Sequence, residues 1–278
     1  MKNLLRLLLF CLCLTLTGIS RANEPEIPQL PDWEVLEFEE KAFWATARSR
    51  LGVLADPENI GRWKLSVDSS VVDNSEKVHV DFDPTSGQAY TRSRLSQGKQ
   101  QRLKSYRYEA DFIVRERRNP AADENAPPED WPITYSGEVS YPATAADTVV
   151  TGSYLLFLLA QQLQDQGPEN SLEVLVHTDL NFYRVRLTSG NGIPIDVDYS
   201  ISGEGPVSGM RETLAVAMKV TPEGTLAEDS DFSFLGLQGQ IILFFDRDSG
   251  LPLQVRGVAP RIGTSEINLK SVTMRKPR

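Results

Sequence analysis

Few residues in this chain have the type and spacing to do chemistry. Its two histidines each stand two positions before an aspartate, in His79-Val80-Asp81 and His177-Thr178-Asp179. On a strand, residues two apart share a face, so imidazole and carboxylate can ligate a metal together or form an orienting pair. Tetrahedral zinc needs two more ligands, or one and a water, and no other cluster supplies them. For His79 the alternation favours a solvated strand face, because Val78, Val80 and Phe82 take the apolar side. Nucleophilic catalysis is no better provided. There is no G-x-S-x-G elbow, and a Ser-His-Asp site would rest on a tertiary meeting that no motif marks. The 38 acidic residues always permit a carboxylate pair for glycoside chemistry, but no spacing selects one. Phe245–Gly250 opens like a calcium loop, yet Leu251 and Gly257 stand where glycine and glutamate are required, so it reads as a hairpin turn. No catalytic residue, metal ligand or cofactor is assigned.

The strongest non-random feature is electrostatic. Between Arg92 and Arg118 stand nine basic residues (Arg92, Arg94, Lys99, Arg102, Lys104, Arg107, Arg115, Arg117, Arg118) against three acidic ones (Glu109, Asp111, Glu116). Arg92 and Arg94, Arg102 and Lys104, and Arg115 and Arg117 each repeat at the same-face spacing of a strand. Neighbouring strands would then present one basic face that also carries Tyr90, Tyr106 and Tyr108. Two readings follow. The face is an exposed dock for an anionic envelope partner, a lipid head group or an acidic polymer; or acidic strands, for instance through Asp196 and Asp198, pair with it across the sheet.

The elements that must position such a face are strands. Trp63, Leu65, Val67 and Val71 alternate with polar residues, as do Val78, Val80 and Phe82; Tyr183, Val185 and Leu187; Ile193 to Ile201; Leu214 to Val220; and Leu251, Leu253 and Val255. A period of two with one apolar face is the mark of antiparallel sheet. Turn signals separate the runs at Asp73-Asn74-Ser75, Pro84–Gly87, Ser189–Gly192 and Asp248-Ser249-Gly250. Many short strands of this kind point to one antiparallel β-barrel-like or strongly curved sheet. A single helix interrupts it over Ser153–Gln166, stopped by Gly167-Pro168. Its Tyr154–Ala160 run is apolar all round and predicts a plug buried against the sheet. Asn119–Trp131, rich in alanine, proline and acid, reads as a disordered surface loop.

The first 22 residues have a basic start (Lys2, Arg6), an apolar run near Leu7–Leu16 and Ser20-Arg21-Ala22 at the exit. They predict a signal peptide cleaved after Ala22 and a periplasmic destination. A flexible leader over 23–32 follows, and a single β-rich domain over 33–278. Both cysteines, Cys11 and Cys13, fall in the segment to be removed, so the mature chain has neither disulfide nor thiol chemistry. Neither sits in the setting a lipid anchor requires. Removing Lys2, Arg6 and Arg21 takes the formal charge from −9 to −12, which disfavours nucleic acid as a partner. No later run reaches the roughly 20 apolar residues of a spanning helix.

The order of elements resembles an exported family of Gram-negative bacteria, the domain of unknown function 3108. The likeness rests on Ser105–Arg118 (SYRYEADFIVRERR), on Asp147–Gly167 with its Ser-Tyr-Leu-Leu-Phe-Leu-Leu helix, on LNFYRVRL at 180–187, and on IILFFDRDSGLPLQVRG followed by TSEINLKSV. It extends from about Arg62 onward, and the Asn119–Trp131 loop departs from it. The resemblance implies a periplasmic β-barrel-type protein and supplies no catalytic residues. The sequence is therefore read as a non-enzymatic envelope binding or assembly factor that accepts a lipid-like or apolar ligand or an anionic envelope component. A hydrolase of an envelope polymer working through carboxylates, and a structural partner of another envelope protein, stand as alternatives.

Overall fold

The computed structural model describes residues 31–42, 45–121, 126–145, 148–227, 230–260 and 262–276. The expected signal peptide and most of the leader lie outside them. The described residues form seventeen strands. The first eight are β1 (Trp33–Ala42), β2 (Ala45–Ala55), β3 (Trp63–Val71), β4 (Asn74–Phe82), β5 (Ala89–Gln97), β6 (Arg102–Tyr108), β7 (Phe112–Arg118) and β8 (Ile133–Ser140). Then come β9 (Val150–Gly152), the helix α1 (Leu156–Asp165), β10 (Ser171–His177), β11 (Phe182–Asn191) and the hairpin β12 (Ile195–Ile201) with β13 (Gly205–Arg211). The chain closes with β14 (Thr213–Glu223), β15 (Gln238–Asp246), β16 (Pro252–Ala259) and β17 (Gly263–Met274).

Pairing runs β8-β7-β6-β5-β4-β3-β2-β1-β17-β16-β15-β14-β11-β10-β9, antiparallel except for β9 with β10. The β12–β13 hairpin stands beside this order and touches β17 through Ser200 and Ile201. The sheet is not closed: among the described residues β8 pairs only β7, and β9 only β10. Its two ends overlap, with β9 and the end of β10 lying on the inner face of β5 and β6. The expectation of a mainly β, strongly curved antiparallel sheet with one prominent apolar helix is met.

Alternation places the core where the period of two puts it. Trp63, Leu65, Val67, Val78, Val80, Phe82, Val185, Leu187, Val216, Met218, Leu253 and Val255 are all buried. Val71 and Ile193, at the ends of their runs, are exposed. The expected turn at Ser189–Gly192 is corrected: β11 continues to Asn191, pairing with Leu214 of β14, and the β12–β13 hairpin is inserted after it. The helix begins with a turn of 3-10 helix, Ser153–Leu155, and buries Leu156, Phe157, Leu158, Leu159, Ala160 and Leu163. It is the plug its composition predicts. Gly87 closes the β4–β5 turn against it with φ 78°, and a Cβ there would come within 2.7 Å of Leu159.

Part of the expected disordered loop is ordered. Pro128–Asp130 form a turn of 3-10 helix, Trp131 is buried with its Nε1 donating to the Ala126 carbonyl, and Arg118 donates to the Glu129 and Trp131 carbonyls. The indole supplies the apolar area that the alanines and prolines lack; residues 122–125 lie outside the described residues. The end of the expected flexible leader is likewise held, since Arg275 donates to the carbonyls of Pro31 and Asp32. No helix among the described residues is long and apolar enough to cross a membrane.

Candidate binding site

Strand register brings the basic residues together. Arg92 of β5 stands opposite Tyr106 of β6, which stands opposite Arg115 of β7; Arg94, Lys104 and Arg117 form the next row, and Arg102 lies opposite Ser96. All six share one face, as their spacing predicts. That face looks inward, toward the overlapping end of the sheet, so it is not the exposed dock the sequence suggested. Arg92 and Lys104 are each only 7% exposed, and Arg94, Arg102, Arg115 and Arg117 are half-buried. The physical reason is the sheet's coiling, which folds β10 over strands that would otherwise face water.

The pairing alternative also needs correction, because Asp196 and Asp198 lie elsewhere and Asp198 meets Lys270. The partners are Asp179 and Glu76. Asp179, in the turn after β10, accepts from Lys104 Nζ and from the Tyr106 hydroxyl, with Arg94 Nη1 at 3.6 Å. Arg94 holds Glu76 of β4 at 2.6 Å, and Glu76 accepts from the Tyr154 hydroxyl at 2.7 Å. Arg92 donates to the carbonyls of His177 and Thr178 at 2.7 and 2.6 Å while its guanidinium lies 4.0 Å from the Tyr106 ring. It thus ties β5 to the backbone at the end of β10 through two charge-assisted bonds. Farther out, Arg115 lies over the Tyr135 ring at 5.1 Å and Arg117 Nε donates to Thr134.

Asp231 makes the turn rigid. Its carboxylate accepts from Thr178 Oγ1, the Asp179 and Leu180 amides, Asn181 Nδ2 and the Tyr183 hydroxyl. Burial pushes the Asp179 carboxyl upward, but Lys104, Tyr106 and Arg94 outweigh it and hold the group well below the usual carboxylate range. Burial pulls the Lys104 amine down; nearby Arg102 and Arg94 add to that, and Asp179 opposes it.

The two His-x-Asp pairs have different outcomes. His79 is exposed, as expected. His177 is fully buried, and its ring packs against Tyr106, Tyr108 and Phe182 at 5.0–5.9 Å. Neither ring nitrogen has a partner among the described residues. Tyr106 stands between His177 and Asp179, so they form no orienting pair. Among the described residues no group of three His, Cys, Asp or Glu side chains could hold a metal ion.

Burial first, then the charge of Arg92, pushes His177 well below its ordinary value, against the pull of Asp179. The unfolded chain therefore binds a proton near pH 6.5 that the folded chain refuses, and stability must fall as pH drops below that point. The slope expected from this group approaches about 1.4 kcal/mol per pH unit as pH falls below about 6.5. His177→Phe, which fits the aromatic surroundings, should remove that component. Urea unfolding of both proteins across this range checks it, and equal acid sensitivity in the two would refute the assignment.

The open end of the overlap is a cavity of about 690 Å³. Arg92, Arg94 and Arg102 line it beside Lys99, Glu76, Asp179, Tyr154 and inward residues of β2 to β4. The sequence marked the basic residues by spacing. It did not mark Glu76, Tyr154 or Asp231, whose roles depend on segments far apart in the chain.

No protein-family model and no curated protein matches the chain. Among solved structures it is similar to a β-barrel-like protein of domain of unknown function DUF1849 from Brucella abortus, with a TM-score of 0.52 and 6% identity, over 90% of this chain and all of that one. At that identity the likeness shows the fold alone. The chain is a β-barrel-like protein with an open, overlapping sheet.

Proposed function

We propose that this chain is a non-enzymatic binding protein of the periplasm, exported and cleaved after Ala22, that holds an anionic component of the cell envelope. Membership of the domain of unknown function 3108 family is part of the same reading, supported by the likeness of the fold to a β-barrel-like protein of another domain of unknown function. The observation that carries the proposal is the cavity at the sheet overlap, where Arg92, Arg94, Lys99 and Arg102 line one wall. Its size falls within the roughly 300–1,000 Å³ of small-molecule sites. The interior apolar space is taken by α1, which favours an anionic ligand over a purely apolar one. The hydrolase alternative finds less support, since Asp179 and Asp231 already accept several donors each and His79 is exposed while His177 is fully buried.

The test is expression of the whole chain in a Gram-negative host, with N-terminal sequencing and native mass spectrometry of the periplasmic fraction. The expected result is a terminus at Asn23 and a retained acidic ligand. A chain found in the cytosol with its leader intact would overturn the localisation, and a retained ligand without negative charge would overturn the anionic reading.

A further inference from the structure

The cavity wall is more specific than its net charge. Arg102 has neither a hydrogen-bond nor an ion-pair partner among the described residues, and its Nε is buried and unpaired. Arg92 is more than nine-tenths buried, and its Nε is also without a partner although both terminal nitrogens are bonded. An unpaired guanidinium nitrogen out of water is costly unless something occupies the space beside it. Register places Arg94 and Arg102 diagonally across β5 and β6, a separation that one oxyanion can bridge. The ammonium of Lys99, in the turn between these strands, likewise has no partner among the described residues.

The cavity lining also carries hydroxyls. Ser49 of β2, Ser69 of β3, Ser96 of β5 and Ser233 all line the cavity, and Ser49 and Ser69 share one hydrogen bond of 3.1 Å. A hydroxyl offers one donor and two acceptors, so this pair keeps capacity for a ligand. Val71, Val78 and Leu235 supply apolar patches between them. A membrane lipid would need an apolar channel for its chain, whereas here serines and charged side chains share the lining with the apolar residues. A ring with many hydroxyls, weakly apolar C–H faces and one oxyanion meets all three kinds of wall.

Resting on the binding function above, we infer that the ligand is an acidic saccharide, its carboxylate or phosphate held by Arg94, Lys99 and Arg102 and its hydroxyls by the serines. The experiment is isothermal titration of the mature protein with trigalacturonate and with sucrose phosphate, which separate the two oxyanions. Maltotriose serves as the neutral control, and co-sedimentation with phosphatidylglycerol vesicles reports a lipid surface. Binding of at least one acidic saccharide is expected, weakening as salt rises, with none for maltotriose. Arg102→Gln should weaken it about tenfold or more and leave the melting temperature unchanged, because the side chain has no partner to lose. Lys99→Gln gives an independent check at a second partner-free position. Binding unaffected by both substitutions, or equal binding of maltotriose, would overturn the inference. Binding to vesicles and to neither saccharide would overturn the saccharide class but leave an anionic envelope ligand standing. Failure of every anionic probe would remove both readings.

Discussion

Replacing Asp179 by alanine is expected to destabilise the protein by about 3–5 kcal/mol, the cost of breaking a buried ion pair by removing one partner. Lys104 and Asp179 expose only 9% and 18% of their side chains. Asp179→Ala would leave the Lys104 ammonium with Arg94 nearby and no counter-charge, and the Tyr106 hydroxyl without its acceptor. Asp179→Asn should cost less, since the amide oxygen still accepts. The double variant Asp179→Ala, Lys104→Met should recover much of the loss, because it removes the uncompensated charge. Acid should mimic the single variant. The folded carboxyl titrates below the unfolded one, so its contribution is present above about pH 4 and is lost as pH falls from there toward the folded value. Urea unfolding of the three variants at neutral pH decides the matter. A loss below about 1 kcal/mol for Asp179→Ala would place the pair among exposed ion pairs and show that it does not hold the sheet overlap together.

Much of the frame was legible because its burial is one-sided. Each of β3, β4 and β12 buries alternate residues, so the period of two in the sequence maps directly to the core. The helix was legible for a similar reason, as a short apolar run with a glycine stop. The overlap was not. In β10 the four residues Val174, Leu175, Val176 and His177 are all fully buried, because one face packs on the core and the other on β5 and β6. A strand between two layers loses its alternation and reads like any apolar run.

The basic face shows the same limit from the other side. Its register was readable from the spacing of Arg92, Arg94, Arg102, Lys104, Arg115 and Arg117, but its direction was not. A guanidinium is assigned to water by default, and that default fails for Arg92 because the carbonyl that receives it belongs to His177, 85 residues farther along the chain. Asp179 and Asp231 became central through the same overlap. Local pattern fixes which side chains share a face; only the coiling of the sheet decides what that face meets.

Phe157→Ala tests the other half of the architecture, the plug. Its fully buried ring meets Trp33, Phe38 and Phe234 with centroids 6.2, 5.7 and 6.4 Å away, which ties α1 to β1 and to the segment before β15. A helix of ten residues is marginal in water by itself, so its stability comes from such contacts. Truncating a buried phenylalanine leaves a cavity that a sheet hydrogen-bonded along its length can only partly collapse into. The expected loss is about 3–5 kcal/mol. Phe157→Leu should cost less, since it keeps most of the apolar volume. The consequence reaches the binding site, because Tyr154 lies just before α1 and its hydroxyl holds Glu76, which in turn holds Arg94. Loosening the plug should therefore weaken acidic-saccharide binding along with stability, whereas Arg102→Gln should weaken binding alone. A Phe157→Ala protein with wild-type stability would mean that α1 does not hold the sheet together, and the coupling between core and cavity would fall with it.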